Sequence, residues 1–178
     1  MMKSLKSFAK KWYSRILVKF SSTNEGKLAE AAQVAPPRTK AIICHRSVLY
    51  WIYKAGLITK QKFNQIQQST RADQWSTVLA NNTYTPVLNF PQGLANVPRG
   101  AIIGFIDPSM LQHSMVVVGH DNGEAYVAGV NNVNVLTEND AFRVGIKHAV
   151  VTANQFKPLN PHTQVYWVDV DTVVARLP

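Results

Sequence analysis

Five short segments rich in β-branched and aromatic residues occupy much of the chain after residue 100, and they constrain its fold more than any other feature. They are AIIGFI, SMVVVG, EAYVAGV, KHAVVTA and TQVYWVDV, and each is bounded by Gly, Asn, Asp or Pro. Such runs predict β-strands. Between the second and third lies Asn122-Gly123, the dipeptide typical of a two-residue hairpin turn. The second half of the chain is therefore predicted to form an antiparallel sheet.

Helical patterns precede the strands. The segment AIICHRSVLYWIYKAG, residues 41 to 56, contains Cys44, the only cysteine of the chain. Thr39 is a suitable N-cap for a helix through this segment, and Gly56 is a suitable residue to end it. Apolar residues share the helical face of Cys44, which predicts that this face is buried; they are Val48, Trp51, Ile52 and Ala55. A second helix is predicted after Thr59. Helices followed by an antiparallel sheet indicate an α+β fold.

The composition suits one globular domain with an N-terminal extension. The chain has 178 residues, of which 46% are hydrophobic. Residues 21–40 contain a Pro-Pro pair and are predicted to be a connector. We therefore expect a leader and connector over residues 1–35 and the domain over residues 36–178. The sequence shows no apolar run long enough to cross a membrane and no apolar secretory signal, and a single cysteine excludes an internal disulfide.

The leader carries most of the positive charge. Residues 1–40 contain nine basic and two acidic side chains, whereas the other 138 residues contain ten basic and eight acidic side chains. Within residues 1–22 the apolar side chains recur at helical spacing among lysines. This pattern predicts a basic amphipathic helix, which either packs on the domain or forms a partly ordered tail. The more specific alternatives are a helix in contact with an anionic membrane and an organelle or translocation address. Nucleic acid is not an expected partner, because no basic stripe interleaved with aromatic residues runs through the domain.

Cys44 and His113 are a candidate catalytic pair. Cys44 is placed near the start of a helix, where unpaired backbone N–H groups favour the thiolate. His113 is placed at the start of a predicted strand, after the loop-like DPSMLQ. An imidazole beside a thiol can hold the pair as thiolate and imidazolium and then deliver the proton to a leaving amine. The sequence thus predicts Cys44 as a nucleophile and His113 as its base.

A third residue is expected to orient the imidazole. With a turn at Asn122-Gly123, a regular antiparallel ladder places Ser114 opposite Asn131 and His113 opposite Asn132. Asn132 is therefore the predicted third member. Asn131 is the alternate, which would need a β-bulge to reach the same side of the sheet.

The order of these residues resembles that of the papain-like thiol hydrolases, a superfamily that includes NlpC-like peptidases and effector-type cysteine proteases and deamidases. The resemblance rests on Cys44, on His113 and on the succession VPRGAIIGFID, HSMVVVG and VAGVNN. It covers roughly residues 36–135 and implies a papain-like domain, with the helix of Cys44 packed on the sheet. The glutamine that many papain relatives have shortly before the cysteine is absent, so the oxyanion site rests on the backbone N–H of Cys44 and an unidentified donor.

The resemblance also implies an activity. We expect a protease, amidase or deamidase that forms a thioester on Cys44, with a protein or peptide substrate, peptidoglycan peptides among the candidates. By analogy, a compact chain with a basic leader suggests a delivered bacterial effector or toxin, or a membrane-peripheral protein. The alternative is a catalytically idle binding module docked on a membrane or partner through the leader.

Other polar residues are assigned no role. His45 is expected to point away from the face of Cys44 and to lie on the surface. A second group of polar residues near the hairpin lacks the spacing of a zinc site; its members are His120, Asp121 and Glu124. We therefore expect no metal and no cofactor.

The leader hypothesis predicts that removal of residues 1–22 leaves a folded domain but weakens binding to anionic vesicles. The physical reason is the loss of an acid-free basic helix from the chain. Co-sedimentation of the full and truncated chains with vesicles, at low and high salt, measures this. Equal binding by the two chains would show that the leader packs on the domain or serves only as an address.

Overall fold

The computed structural model describes residues 22–37, 44–69, 85–107, 110–130, 148–156 and 161–178. Within these ranges the chain forms four α-helices and six β-strands, an α+β fold as predicted. The helices are α1 (Asn24–Ala31), α2 (Cys44–Lys54), α3 (Lys60–Ser69) and α4 (Val170–Arg176). The strands are β1 (Thr85–Pro86), β2 (Ile102–Asp107), β3 (Met110–Asp121), β4 (Glu124–Val130), β5 (His148–Thr152) and β6 (Gln164–Val168). Short 3-10 helices cover Gln92–Asn96 and Ala153–Gln155.

The strands form one sheet in the order β1-β6-β2-β3-β4-β5, and every neighbouring pair is antiparallel. All five strands predicted after residue 100 are present. The predicted hairpin turn is also confirmed, because Asp121 pairs with Glu124 across it. Asn122 and Gly123 both have positive φ, 51° and 77°, as a type I′ turn requires.

Each face of the sheet has its own core. Helices α1, α2 and α4 cover one face, which we call the helical face, and the core there includes Leu28, Trp51 and Val116, all fully buried. The opposite face is covered by the two 3-10 helices and their flanking loops, and its core includes Phe105 and Met115. Because both faces are buried, β3 has an apolar run with no polar alternation.

Helix α1 differs from the connector that the sequence predicts over residues 21–40. The Thr23 hydroxyl accepts a hydrogen bond from the Gly26 N–H at 3.2 Å and caps this helix. Leu28 is fully buried in the core of the helical face. The segment that follows is held by the Trp51 indole N–H, which donates to the Val34 carbonyl at 2.9 Å. This stretch therefore packs into the same core as the sheet.

A β-bulge interrupts the pairing of β3 with β4. Val117 pairs with Val127 and Gly119 pairs with Tyr126, so Val118 is an extra residue on β3. The Arg99 guanidinium donates to the Val118 carbonyl at 3.0 Å and so gives the bulged residue a partner. Beyond the bulge the register is shifted by one residue relative to a regular ladder.

Gly100 lies where α1 crosses the start of β2. Its φ of +86° is left-handed, and its N–H donates to the Val117 carbonyl at 2.7 Å. A Cβ atom at this position would overlap the backbone carbonyl of Glu25 in α1. Gly123 has a similar φ of +77°, but a Cβ atom there would meet nothing within 4 Å.

These two glycines give a matched pair of stability predictions. Gly123→Ala should lower the free energy of unfolding by about 1 kcal/mol, because only the left-handed conformation is penalised. Gly100→Ala should lower it by about 3 kcal/mol, because a backbone overlap adds to the same penalty. Urea denaturation of both variants measures the difference. Equal losses would mean that α1 does not pack on Gly100 as described.

Candidate functional site

Cys44 is the first residue of α2, and its side chain is 8% exposed. The first turn of the helix lies against β3. The Ser47 hydroxyl donates to the Cys44 carbonyl at 2.6 Å, within that turn. Farther along α2, Val48, Trp51 and Ile52 are fully buried, as the helical pattern predicts. The prediction of a buried helix that carries the cysteine is confirmed.

His45 lies beside the cysteine. Its imidazole Nδ1 and Nε2 are 3.5 Å and 3.8 Å from the Cys44 sulfur, and the side chain is only 3% exposed. The expectation of a surface histidine is therefore wrong. Helical periodicity alone sends neighbouring residues to different sides of a helix, but here the first turn meets β3, and both Cys44 and His45 are enclosed.

Ser114 of β3 completes the cluster. Its hydroxyl oxygen is 2.9 Å from the His45 Nδ1, and the residue is 2% exposed. Ser114 shares the helical face of the sheet with Val116 and Val118, in agreement with the alternation of side chains along a strand. One imidazole thus contacts both a thiol and a hydroxyl, and its Nδ1 is the ring nitrogen nearer to each of them.

His113 lies on the other face of the sheet. It pairs with Phe105 across β2 and β3, and the two ring centroids are 5.9 Å apart. Phe105 belongs to the core opposite the helices. The structure therefore brings His45 and Ser114 to the sulfur of Cys44, and it turns the His113 side chain away from them.

The predicted third members, Asn132 and Asn131, lie outside the described residues. The regular ladder from which Asn132 is derived is nevertheless wrong, because of the bulge at Val118. A regular ladder from the turn would pair Val116 with Gly129, but Val116 pairs with Ala128. The strand β4 is described only as far as Val130.

Burial controls the ionisation of the thiol. Removal of Cys44 from water raises its pKa to about 11, although the backbone N–H groups of Ser114, His45 and Cys44 lower it in part. Burial disfavours the charged form of any acid, and three N–H groups here do not compensate. At neutral pH the sulfur is therefore a protonated thiol, in contrast to the thiolate that a helix N-terminus alone would favour.

The cluster has one tautomer suited to proton transfer. With its proton on Nδ1, the His45 imidazole donates to the Ser114 hydroxyl, and Nε2 is left to accept a proton from the Cys44 thiol. The cluster thus contains the three kinds of group that a catalytic triad uses, although the sulfur lies closer to Nδ1, at 3.5 Å, than to Nε2, at 3.8 Å. The sequence contains one signal for Ser114, which is its even spacing from Val116 and Val118, but nothing in the sequence says which face of β3 the helices cover.

The described residues include no group of three His, Cys, Asp or Glu side chains placed to hold a metal ion. Among the helices in the described ranges, none combines the length and the apolar character needed to cross a membrane. Comparison with known proteins found no family model that matches the chain, and no match among curated proteins or solved structures.

The raised pKa predicts slow alkylation of Cys44. With a pKa of about 11, about one thiol in ten thousand is ionised at pH 7. The iodoacetamide rate should therefore rise about tenfold per pH unit through the neutral range, because the thiolate is the nucleophile. The same chain unfolded in urea is the control, since its cysteine should titrate near the ordinary pKa of about 8.5. A fast rate with a plateau below pH 7 would contradict the neutral thiol.

Proposed function

We propose that this protein is a cysteine-dependent amide hydrolase in which Cys44 is the nucleophile, His45 the base and Ser114 the group that orients the base. The observation that carries the proposal is the single imidazole between the Cys44 sulfur and the Ser114 hydroxyl, 3.5 Å and 2.9 Å from its Nδ1. A buried histidine in contact with both a thiol and a hydroxyl brings together the three kinds of group that a triad needs.

The neutral thiol determines how the first step proceeds. Because the pKa of Cys44 is raised to about 11, the thiol must lose its proton as the sulfur attacks the carbonyl carbon. His45 accepts that proton on Nε2, in the way that a histidine serves a serine hydroxyl. The imidazolium then protonates the leaving amine, the C–N bond breaks and a thioester remains on Cys44. Water, activated by the neutral imidazole, hydrolyses the thioester and restores the thiol.

Backbone N–H groups are available for the developing oxyanion. The N–H of Cys44, the first residue of α2, approaches the thiol sulfur. The N–H of Ser114 also approaches the sulfur, and both groups lower the pKa of the thiol. We assign Ser114 as the second oxyanion donor that the sequence leaves unidentified, in addition to the predicted N–H of Cys44. Two such donors are a common arrangement for acyl transfer.

The proposed substrate class follows from the chemistry of a cysteine nucleophile rather than from the papain-like pairing of Cys44 with His113, since His113 lies on the other face of the sheet. The structure has an α+β fold with a cysteine-bearing helix on an antiparallel sheet, and the papain-like character of that fold is part of the proposal. Peptide bonds, side-chain amides of glutamine or asparagine, and peptidoglycan peptides are all amides that this chemistry would cleave. A protein or peptide is therefore the proposed substrate, and no cofactor enters the reaction.

A second candidate function is favoured by two observations. The pKa of Cys44 is raised by burial, and the predicted base His113 lies on the opposite face of the sheet from the sulfur. A chain that keeps the fold without the thiolate chemistry would be a catalytically idle binding module. In that case the buried cluster of Cys44, His45 and Ser114 would serve packing alone.

Two buried histidines allow a matched test. We expect His45→Asn to reduce amide hydrolysis by about 100-fold to 10,000-fold, because general base catalysis contributes that much. His113→Asn is the control, because His113 is as buried as His45 (5% exposed against 3%) but lies on the other face of the sheet. It should leave turnover within a few-fold of the parent. Cys44→Ala should abolish turnover. Amide hydrolysis is measured by mass spectrometry on casein peptides, glutaminyl peptides and muropeptides. New chain termini and deamidation are the readouts.

The outcomes of this test separate the two candidate functions. Urea denaturation of each variant first shows that it is folded. If His113→Asn loses activity and His45→Asn keeps it, the assignment of His45 is overturned and the predicted pair of Cys44 and His113 is favoured. Activity retained by Cys44→Ala would exclude a thiol mechanism. No cleavage of any of these amides by the parent chain would favour the idle binding module.

A further inference from the structure

The helices α2 and α3, with the turn between them, form a hairpin whose charges all have one sign. Residues 44–69 contain four cationic side chains and no aspartate or glutamate. The cations are Arg46, Lys54, Lys60 and Lys62. We call this element the basic hairpin. An isolated run of positive charge in a folded domain produces a local field that attracts anionic surfaces.

Three of these cations lie near the turn of the basic hairpin. Lys54 is the last residue of α2, and Gly56, with a φ of 74°, ends that helix. The Thr59 hydroxyl then caps α3 by accepting from the Lys62 N–H at 3.1 Å. Lys60 and Lys62 therefore occupy the first turn of α3, and Lys54 and Lys60 are both exposed.

Aromatic and aliphatic side chains lie among these lysines. The rings of Tyr53 and Phe63 are stacked, with centroids 4.9 Å apart and planes at 20°. Tyr50 meets both of them edge-on, at 6.4 Å from Tyr53 and 6.3 Å from Phe63. These rings are only partly buried, as are Leu57 and Ile58 in the turn itself. The turn end of the basic hairpin thus combines apolar and cationic groups.

We propose that the turn end of the basic hairpin docks on an anionic membrane surface. Tyrosine is favoured at membrane interfaces, where its ring meets acyl chains and its hydroxyl meets water. Lysines beside it place their aliphatic stems along the apolar surface and their ammonium groups among lipid phosphates. The partly exposed Leu57 and Ile58 supply apolar area at the same end.

An anionic lipid surface fits this arrangement better than a nucleic acid. A protein that binds single strands needs aromatic rings with free faces on which bases stack. Here Tyr53 and Phe63 stack on one another, and Tyr50 packs edge-on against both rings. Attraction to lipid headgroups needs only charge and partial exposure, and both are present at the turn.

The charge of α1 gives the docking an orientation. Helix α1 carries Glu25 and Glu30 against Lys27, whereas α4 is neutral, with Asp171 and Arg176. The acids of α1 would be repelled by an anionic surface. The turn end of the basic hairpin would therefore face the membrane in preference to α1. This contact is additional to any made by the leader and does not depend on the proposed hydrolase activity.

A charge-matched pair of variants tests the proposal in the full chain. Lys54→Ala/Lys60→Ala removes two exposed cations from the turn, and Lys27→Ala/Arg176→Ala removes two exposed cations from α1 and α4. Both variants lose the same net charge. Binding to vesicles of phosphatidylcholine with phosphatidylserine should fall about 25-fold for the first variant, since each lysine near the surface contributes about fivefold. The second variant should stay within about twofold, because charges far from the surface are screened.

Vesicle co-sedimentation at about 0.15 M salt, where the Debye length is about 8 Å, gives these values, and vesicles of phosphatidylcholine alone give the baseline. Equal losses in the two variants would overturn the proposal in favour of an effect of net charge. No loss in the first variant would overturn it in favour of the leader or another surface. Tighter binding of a single-stranded oligonucleotide than of vesicles, lost in the first variant, would identify the surface as a nucleic-acid site instead.

Discussion

The contact between the first turn of α2 and β3 is the interaction on which the rest of the site depends. Side chains alternate along β3, so Ser114, Val116 and Val118 face the helices, whereas His113 and Met115 face the second core. A shift of one residue in that alternation would turn Ser114 away from His45 and Cys44. The two valines and Met115 are fully or almost fully buried. Packing energy on both faces therefore fixes which polar group meets the thiol.

The same burial that fixes the geometry also restrains the chemistry. A thiol at a helix N-terminus ordinarily gains acidity, yet the enclosure of Cys44 outweighs the three N–H groups near it and raises the pKa to about 11. A neutral thiol needs a base at the moment of attack, and the imidazole in contact with it is that of His45. The cluster resembles a serine-type triad in its protonation more than a preformed thiolate and imidazolium pair.

Local patterns predict much of this fold, and contacts distant in sequence account for what they miss. The β-branched runs, the Asn122-Gly123 turn and the caps at Gly56 and Thr59 are all found where the sequence places them. Helix α1 is missed because it is short and polar and is stabilised chiefly by burial of Leu28. The bulge on β3 is missed because nothing local marks its extra residue. Both faces of β3 are apolar, so the sequence does not indicate whether His113 or the residue after it faces α2.

Helix α2 connects the two proposals physically. Its first residue carries the thiol, and its last residue, Lys54, belongs to the turn that we propose to lie on lipid. Eleven residues at a rise of 1.5 Å separate these ends by about 15 Å. If the axis of α2 stands upright on the membrane, the sulfur lies that far above the headgroups; a tilted helix brings it nearer. Docking would thus hold Cys44 close to the membrane surface, where it would meet proteins and peptides displayed there more often than those free in solution.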